Sequence, residues 1–225
     1  DRYYGCLHGA THYFQPFGER IMYDGNTPDP TPESTTDRKF YTTDAFTDHA
    51  IGFIEAHQTS PQKAQPFLLY LAYTAPHWPW ETRDDHALAQ QLGAGITHLG
   101  GGNIHTYRRM IHHMDEGIGQ LLQALRRVGR LDDTLIVFTS DNGGERFSDN
   151  WPLVGGKMDL TEGGIRVPYI MQWPALVKPG GVSTQHCLTM DWSATLLDAA
   201  GVAPHADYPL DGVSLLPVLR DAGAS

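Results

Sequence analysis

Phe67-Leu-Leu-Tyr-Leu-Ala-Tyr-Thr74 and Thr134-Leu-Ile-Val-Phe-Thr139 are the two stretches whose reading decides the fold. Each is a short apolar run, the pattern of a strand buried on both faces of a sheet. Polar residues follow each run directly: Ala75-Pro-His77-Trp-Pro-Trp80 after the first, and Ser140-Asp141-Asn142-Gly-Gly-Glu145 after the second. Between the runs, apolar residues at Tyr107, Met110, Ile111, Met114, Ile118, Leu121, Leu122, Leu125 and Val128 share one helical face, with Gly129 as a natural stop. Strand, long helix and strand make a βαβ crossover, which predicts parallel neighbours in an α/β, doubly wound, mostly parallel sheet with flanking helices. Ligands of such sheets sit outside the carboxyl ends of the strands, which puts His77 and Asp141 on the functional edge.

Outward from this unit, Phe46, Ala50, Phe53, Ile54 and His57 recur at helical spacing after Thr43 and predict a short amphipathic helix. Residues 1–42, rich in Gly, Pro, Thr and aromatics without periodicity, read as loop. A second Gly-rich loop is expected from Gly93 to Gly102. Downstream, Val167–Trp173 reads as a strand and Asp191 to about Ala200 as a helix closed by Gly201.

At 225 residues and 40% hydrophobic, the chain can bury the core of one large domain, or most of one. A net charge of −10 without any Lys/Arg cluster disfavours nucleic acid and anionic membranes as partners. No apolar run reaches the roughly 18 residues of a membrane span. Cys6 and Cys187 are too few for a disulfide framework and form no CxxC pair. An anionic substrate would therefore need a local positive site, such as a metal ion with one or two cationic side chains.

The residues for such a site are present. Asp141 and Asn142 offer a carboxylate and an amide oxygen side by side, hard donors that suit Ca²⁺ or Mg²⁺ better than zinc. Lys157 follows Gly155-Gly156, where a flexible backbone can bring an ammonium to an anion, and His77 lies between two prolines. Each of these features alone is as well explained by an ordinary turn, loop or surface charge. In the long helix, His112, His113 and Asp115 point in different directions and read as surface or packing residues.

Joint order and context change that balance. Phe67–Pro79, Tyr107-Arg-Arg-Met-Ile-His-His-Met-Asp-Glu-Gly-Ile-Gly119, Asp133–Gly144 and Gly155-Gly-Lys-Met-Asp-Leu-Thr-Glu-Gly-Gly-Ile-Arg-Val-Pro168 resemble, in sequence order, the sulfatases of the alkaline-phosphatase-like superfamily. Weaker matches at Tyr3-Tyr-Gly, Tyr41–Asp48 and Leu210–Pro217 carry the likeness over nearly the whole chain. The resemblance implies that Asp141 and Asn142 are ligands of a divalent cation, commonly Ca²⁺. It implies equally that His77 and Lys157 contact a sulfate ester, His77 protonating or orienting the leaving oxygen and Lys157 neutralising developing charge. Thr161–Pro168 is expected to be architectural, with Arg166 paired to a carboxylate.

The family's nucleophile is a formylglycine made within a Cys-x-Pro/Ala-x-Arg sequence, and no such sequence occurs here; Cys6 is followed by Leu-His-Gly-Ala. The two aspartates that complete the family's metal site are absent too. Residues 1–225 are thus expected to be the central and C-terminal part of one sulfatase catalytic domain, truncated at both ends, incomplete as a sheet and inactive alone. The implied reaction of the parent is sulfuric ester hydrolysis on a small-molecule or carbohydrate sulfate ester. A phosphodiester or phosphonate monoester hydrolase of the same superfamily and a noncatalytic remnant are the alternatives. Family habit leans to a periplasmic, secreted or lysosomal location, and oligomeric state is not legible.

Overall fold

The computed structural model describes residues 1–8, 11–14, 20–30, 32–33, 39–92 and 101–221; most of the expected Gly93–Gly102 loop lies outside them. The chain divides into two compact units, Asp1–Gly129 and Arg130–Ser225.

The first unit contains β1 (Tyr4–Cys6), β2 (Met22–Asp24), β3 (Thr27–Asp29), α1 (Thr42–Thr59), α2 (His86–Leu92) and α3 (Ile104–Arg127). The stretch read as loop therefore carries a small antiparallel sheet in the order β1-β2-β3. Gly25, at φ +59°, turns the chain between β2 and β3. That left-handed backbone costs little only for glycine, and Gly25-Asn26, between the paired Asp24 and Thr27, is a known two-residue hairpin signal. Strands of three residues are too short to display alternation, so composition hid them.

Helix α1 buries Phe46, Ala50 and Ile54, as its spacing predicts. With Met22, Phe40 and Ala45, Phe46 forms a core against which Leu71 and Tyr73 pack. Helix α3 starts where the Asn103 side chain accepts the His105 and Thr106 N–H groups, at 2.8 and 3.0 Å, which satisfies two otherwise orphan donors. It ends at Gly129, φ +69°. Met110 and Leu125 are buried as predicted, each contributing roughly 2 kcal/mol of burial, whereas Ile111 is exposed. The inward stripe runs instead through His113, Gly117 and Ala124. Gly117 allows the close approach: a Cβ there would lie 2.5 Å from Thr47 Oγ1 and 3.0 Å from Tyr73 Oη.

Phe67–Thr74 carries no ladder among the described residues, contrary to the strand expected there. Its burial still alternates, Leu71 and Tyr73 turned to the core while Leu68 and Tyr70 are 74% and 88% exposed. That period of two is what an extended chain with one covered face produces.

The second unit begins with a 3₁₀ turn at Leu131–Asp133 and contains β4 (Ile136–Thr139), α4 (Glu162–Ile165), β5 (Tyr169–Gln172), α5 (Asp191–Ala199) and α6 (Leu216–Asp221). Strand β4 pairs antiparallel with β5, from Ile136 opposite Gln172 to Thr139 opposite Tyr169. Among the described residues the ladder of β4 is this antiparallel one and the predicted parallel partner is not seen; the crossover rule gives the direction of two strands only once they share a sheet. Leu215, Leu216 and Leu219 form this unit's core with Met171, Trp173 and Trp192. Buried Asp191 ties the core together by accepting the Leu188 N–H at 2.8 Å and the Val213 N–H at 2.9 Å.

Candidate functional site

In the first unit, His77 follows the extended Phe67–Thr74 segment through a turn closed by its N–H on the Thr74 carbonyl, 2.9 Å. Its Nδ1 lies 2.7 Å from the Trp78 carbonyl oxygen. A carbonyl only accepts, so Nδ1 carries the ring hydrogen, and Nε2 is the atom that accepts when the ring is neutral and donates when it is protonated. Buried Tyr13 donates its hydroxyl to the His77 carbonyl at 2.8 Å. Trp78 is half-buried, its ring 5.0 Å from that of His77. Trp80 is buried and packs on Gly102, where a Cβ would meet the Trp80 Cβ at 2.7 Å. Of the two tryptophans flanking His77, Trp80 is thus a packing residue.

A cavity of about 550 Å³ in this unit is lined by Arg2, Tyr3, Asp24, Asp48, His49 and Phe53, none of which the sequence marks as a site residue. Burial holds the His49 imidazole below its usual value, with Asp24, Asp48 and Asp29 opposing.

The second unit brings Asp141, Asn142 and Lys157 onto one backbone frame made of three glycine pairs. The Gly143 N–H donates to the Gly164 carbonyl at 2.8 Å, the Lys157 N–H to Gly144 at 3.0 Å, and the Gly163 N–H to Val154 at 2.7 Å. No side chain fits between these segments. A Cβ on Gly143 would lie 1.8 Å from the Gly163 oxygen, on Gly156 2.7 Å from the Gly144 oxygen, and on Gly164 2.4 Å from the Gly156 oxygen. Asn150 locks the frame: its Oδ1 accepts the Gly144 N–H at 3.2 Å, while Nδ2 donates to the carbonyls of Gly144 and Gly155 at 3.0 and 3.1 Å.

On this frame, exposed Asp141 accepts the Asn142 N–H on Oδ1 at 2.9 Å, and the Asn142 Nδ2 donates to the Gly143 carbonyl at 2.9 Å. Binding the amide nitrogen inward fixes which end of the Asn142 side chain is the oxygen donor. Adjacent carboxylate and amide oxygens fit a hard cation in type, and they are two of the six to eight that Ca²⁺ takes. Among the described residues, no three His, Cys, Asp or Glu side chains form a metal-holding group. The Lys157 ammonium lies 3.4 Å from the Glu145 carboxylate, both partly exposed.

Glu145 and Asn150 are the residues that sequence reasoning missed. A polar side chain in a glycine-rich loop carries no periodicity, and the only signal is proximity to Asp141 and Lys157. Arg166 pairs with Glu162 at 3.0 Å on the surface, as expected of an architectural segment. His112 is exposed and His113 is buried with its ring edge-on to Tyr41, so neighbouring positions of α3 do diverge.

The sulfatase family profile matches residues 4–202. The chain belongs to the sulfatase family. The sulfatase YdeN of Escherichia coli strain K12, described as uncharacterised, is 36% identical to it over 187 residues, covering 81% of this chain and 32% of that protein. The mouse N-acetylgalactosamine-6-sulfatase is 36% identical over 183 residues, covering 79% and 32%. Among solved structures, Ps i-CgsB in complex with k-i-k-neocarrahexaose superposes with a TM-score of 0.81 at 29% identity, over 99% of this chain and 50% of that one. This sulfatase chain is therefore an incomplete α/β domain of the alkaline-phosphatase-like fold. It spans about a third of the length of the curated relatives it matches.

Proposed function

We propose that the intact protein carrying residues 1–225 hydrolyses sulfate esters of carbohydrates. The observation that carries this reading is the glycine frame, which binds the Lys157 backbone directly to Gly144, two residues after Asn142. One rigid piece of backbone thus supplies both a cation and two oxygen donors for a counter-cation, an arrangement suited to an anionic ester in a chain of net charge −10. Sulfatase kinship supports the ester as sulfate. A sugar as the alcohol is supported by the mouse relative named for N-acetylgalactosamine and by the oligosaccharide complex of the 29%-identical neighbour.

Asp141 and Asn142 would hold the divalent cation together with donors from outside this chain, and the cation would offset the negative charge of the sulfate oxygens. The family's formylglycine, also outside these residues, would supply the attacking oxygen. Lys157, whose ammonium lies 3.4 Å from the Glu145 carboxylate, donates to a sulfate oxygen. His77, with Nδ1 committed to Trp78, presents Nε2 to the bridging oxygen and, as the imidazolium, passes the Nε2 proton to it as the S–O bond breaks, leaving the neutral Nδ1–H ring.

The test is sulfate release from 4-nitrophenyl sulfate and from sulfated mono- and oligosaccharides by the intact protein, with phosphate and phosphonate esters as controls. His77→Gln, Lys157→Ala and Asp141→Asn should each lower kcat/KM by about a hundredfold or more. Equal turnover of phosphate esters, or full activity in any of the three variants, overturns the proposal.

A further inference from the structure

We propose that Tyr13, Tyr41 and His12 form a buried brace that positions His77, Tyr13 being the member that acts on it directly. This inference rests on the assignment of His77 above and adds to it what holds the imidazole in place. His77–Glu81 has no regular secondary structure and would have little of its own to fix a proton-transferring ring.

The brace grips that segment at both ends. Tyr13, 1% exposed, donates its hydroxyl to the His77 carbonyl at 2.8 Å; Tyr41, also 1% exposed, donates to the Glu81 carbonyl at 2.8 Å. The two rings stack with centroids 5.4 Å apart, and the Thr42 N–H donates to the Tyr13 carbonyl at 2.9 Å, so both hydroxyls are anchored to the start of α1. A third contact closes the set. His12 accepts the Phe14 N–H on Nδ1 at 3.3 Å, which leaves the hydrogen on Nε2, and that atom lies 3.2 Å from Oε1 of the buried Glu81.

A hydrogen bond to a buried carbonyl is costly to lose, because the oxygen has no water to turn to. Burial pushes the Tyr13 hydroxyl well above its usual value, so it remains a donor at any pH at which the protein is folded. By pinning the His77 carbonyl, Tyr13 fixes the peptide leading into Trp78, whose own carbonyl holds Nδ1. The hydroxyl thereby acts through the backbone on the tautomer of His77, with Nε2 as the exchanging end.

The test uses the intact protein with Tyr13→Phe, which removes one oxygen and leaves the stacked ring. Turnover of 4-nitrophenyl sulfate should fall about tenfold in kcat, with KM within about twofold, since one misaligned proton donor is lost and the ester's own contacts are kept. In ¹⁵N-histidine spectra, with His77 identified by its loss in His77→Gln, the wild type should show the Nδ1–H tautomer and Tyr13→Phe a mixture. An unchanged kcat and an unchanged tautomer in Tyr13→Phe, while His77→Gln is inactive, overturn the brace alone. Full activity in His77→Gln overturns the functional reading and the brace with it. Should Tyr13→Phe fail to fold, Tyr41→Phe, which frees the Glu81 carbonyl, is read by the same two measurements.

Discussion

Replacing Gly143 with alanine asks the most of the glycine frame. The added Cβ would sit 1.8 Å from the Gly163 oxygen and 2.9 Å from the Gly164 Cα, against an ordinary contact distance of 3.4–4 Å, and both obstacles are backbone that cannot rotate away. The two segments must part by roughly the missing distance, which breaks the 2.8 Å bond from the Gly143 N–H to Gly164 and strains the 3.0 Å bond from Lys157 to Gly144. Two backbone hydrogen bonds at about 1 kcal/mol each, with at least ~1 kcal/mol of overpacking strain, give a local destabilisation of about 3 kcal/mol. Hydrogen exchange followed by mass spectrometry on peptides spanning 141–165 reads this directly. About 1.4 kcal/mol is a factor of ten, so amide exchange there should quicken on the order of a hundredfold. Gly119→Ala is the control: nothing lies within 4 Å of its Cβ, and alanine in a helix interior should stabilise α3 by about 0.5–1 kcal/mol. Exchange rates in Gly143→Ala within about threefold of wild type would refute the packing account, since that ratio is less than one hydrogen bond.

Three further outcomes follow from single side chains. Asn150→Ala removes three bonds across the frame and should lower stability by about 2–3 kcal/mol in urea titration. Asn150→Asp should not rescue it, because its second oxygen would face the carbonyls of Gly144 and Gly155. His113 is held below its usual value of 6.5, first by burial and then by the Arg83 guanidinium, with Glu116 opposing. The unfolded chain therefore takes up a proton near pH 6.5 that the native state refuses, so stability is full above that pH and declines as pH falls below it. Urea midpoints at pH 7.5 and 5 should show this slope, and His113→Gln should flatten it; an unaltered slope counts against the assignment. Finally, residues 1–225 expressed alone should self-associate through the ladderless Phe67–Thr74 segment, and Leu68→Lys with Tyr70→Lys should reduce light scattering by these samples. A monodisperse, cooperatively melting wild-type chain would contradict this.

Long periodic elements were legible in the sequence. Helices α1, α3 and α5 and strands β4 and β5 all fall within a few residues of where spacing and stop signals put them. Three-residue strands offer no period to read, and β1–β3 were missed despite the Gly25-Asn26 signal. Partner choice was harder still: a crossover states the direction of two strands if they share a sheet, and β4 took β5 instead. Of the proposed site residues, strand-end placement reached only His77 and Asp141, and it was joint order and family resemblance that singled out Asn142 and Lys157 with them; their supports lie in contacts that sequence order does not display. Tyr13 is 64 positions from the carbonyl it binds. The glycine doublets were visible but read as flexible turns, when their role is the absence of a Cβ at a tight crossing.

That crossing has a practical consequence for redesign. Because the glycine frame is held by main-chain groups and by the side chains of Asn150, Asp159 and Thr161, the exposed apolar side chains between them contribute little to its geometry. Exposed positions such as Trp151, Val154 and Leu160 could be randomised in a library while the six glycines, Asn150, Asp159 and Thr161 are left alone. The fold would tolerate such a library, and selection would then act on what the loops touch.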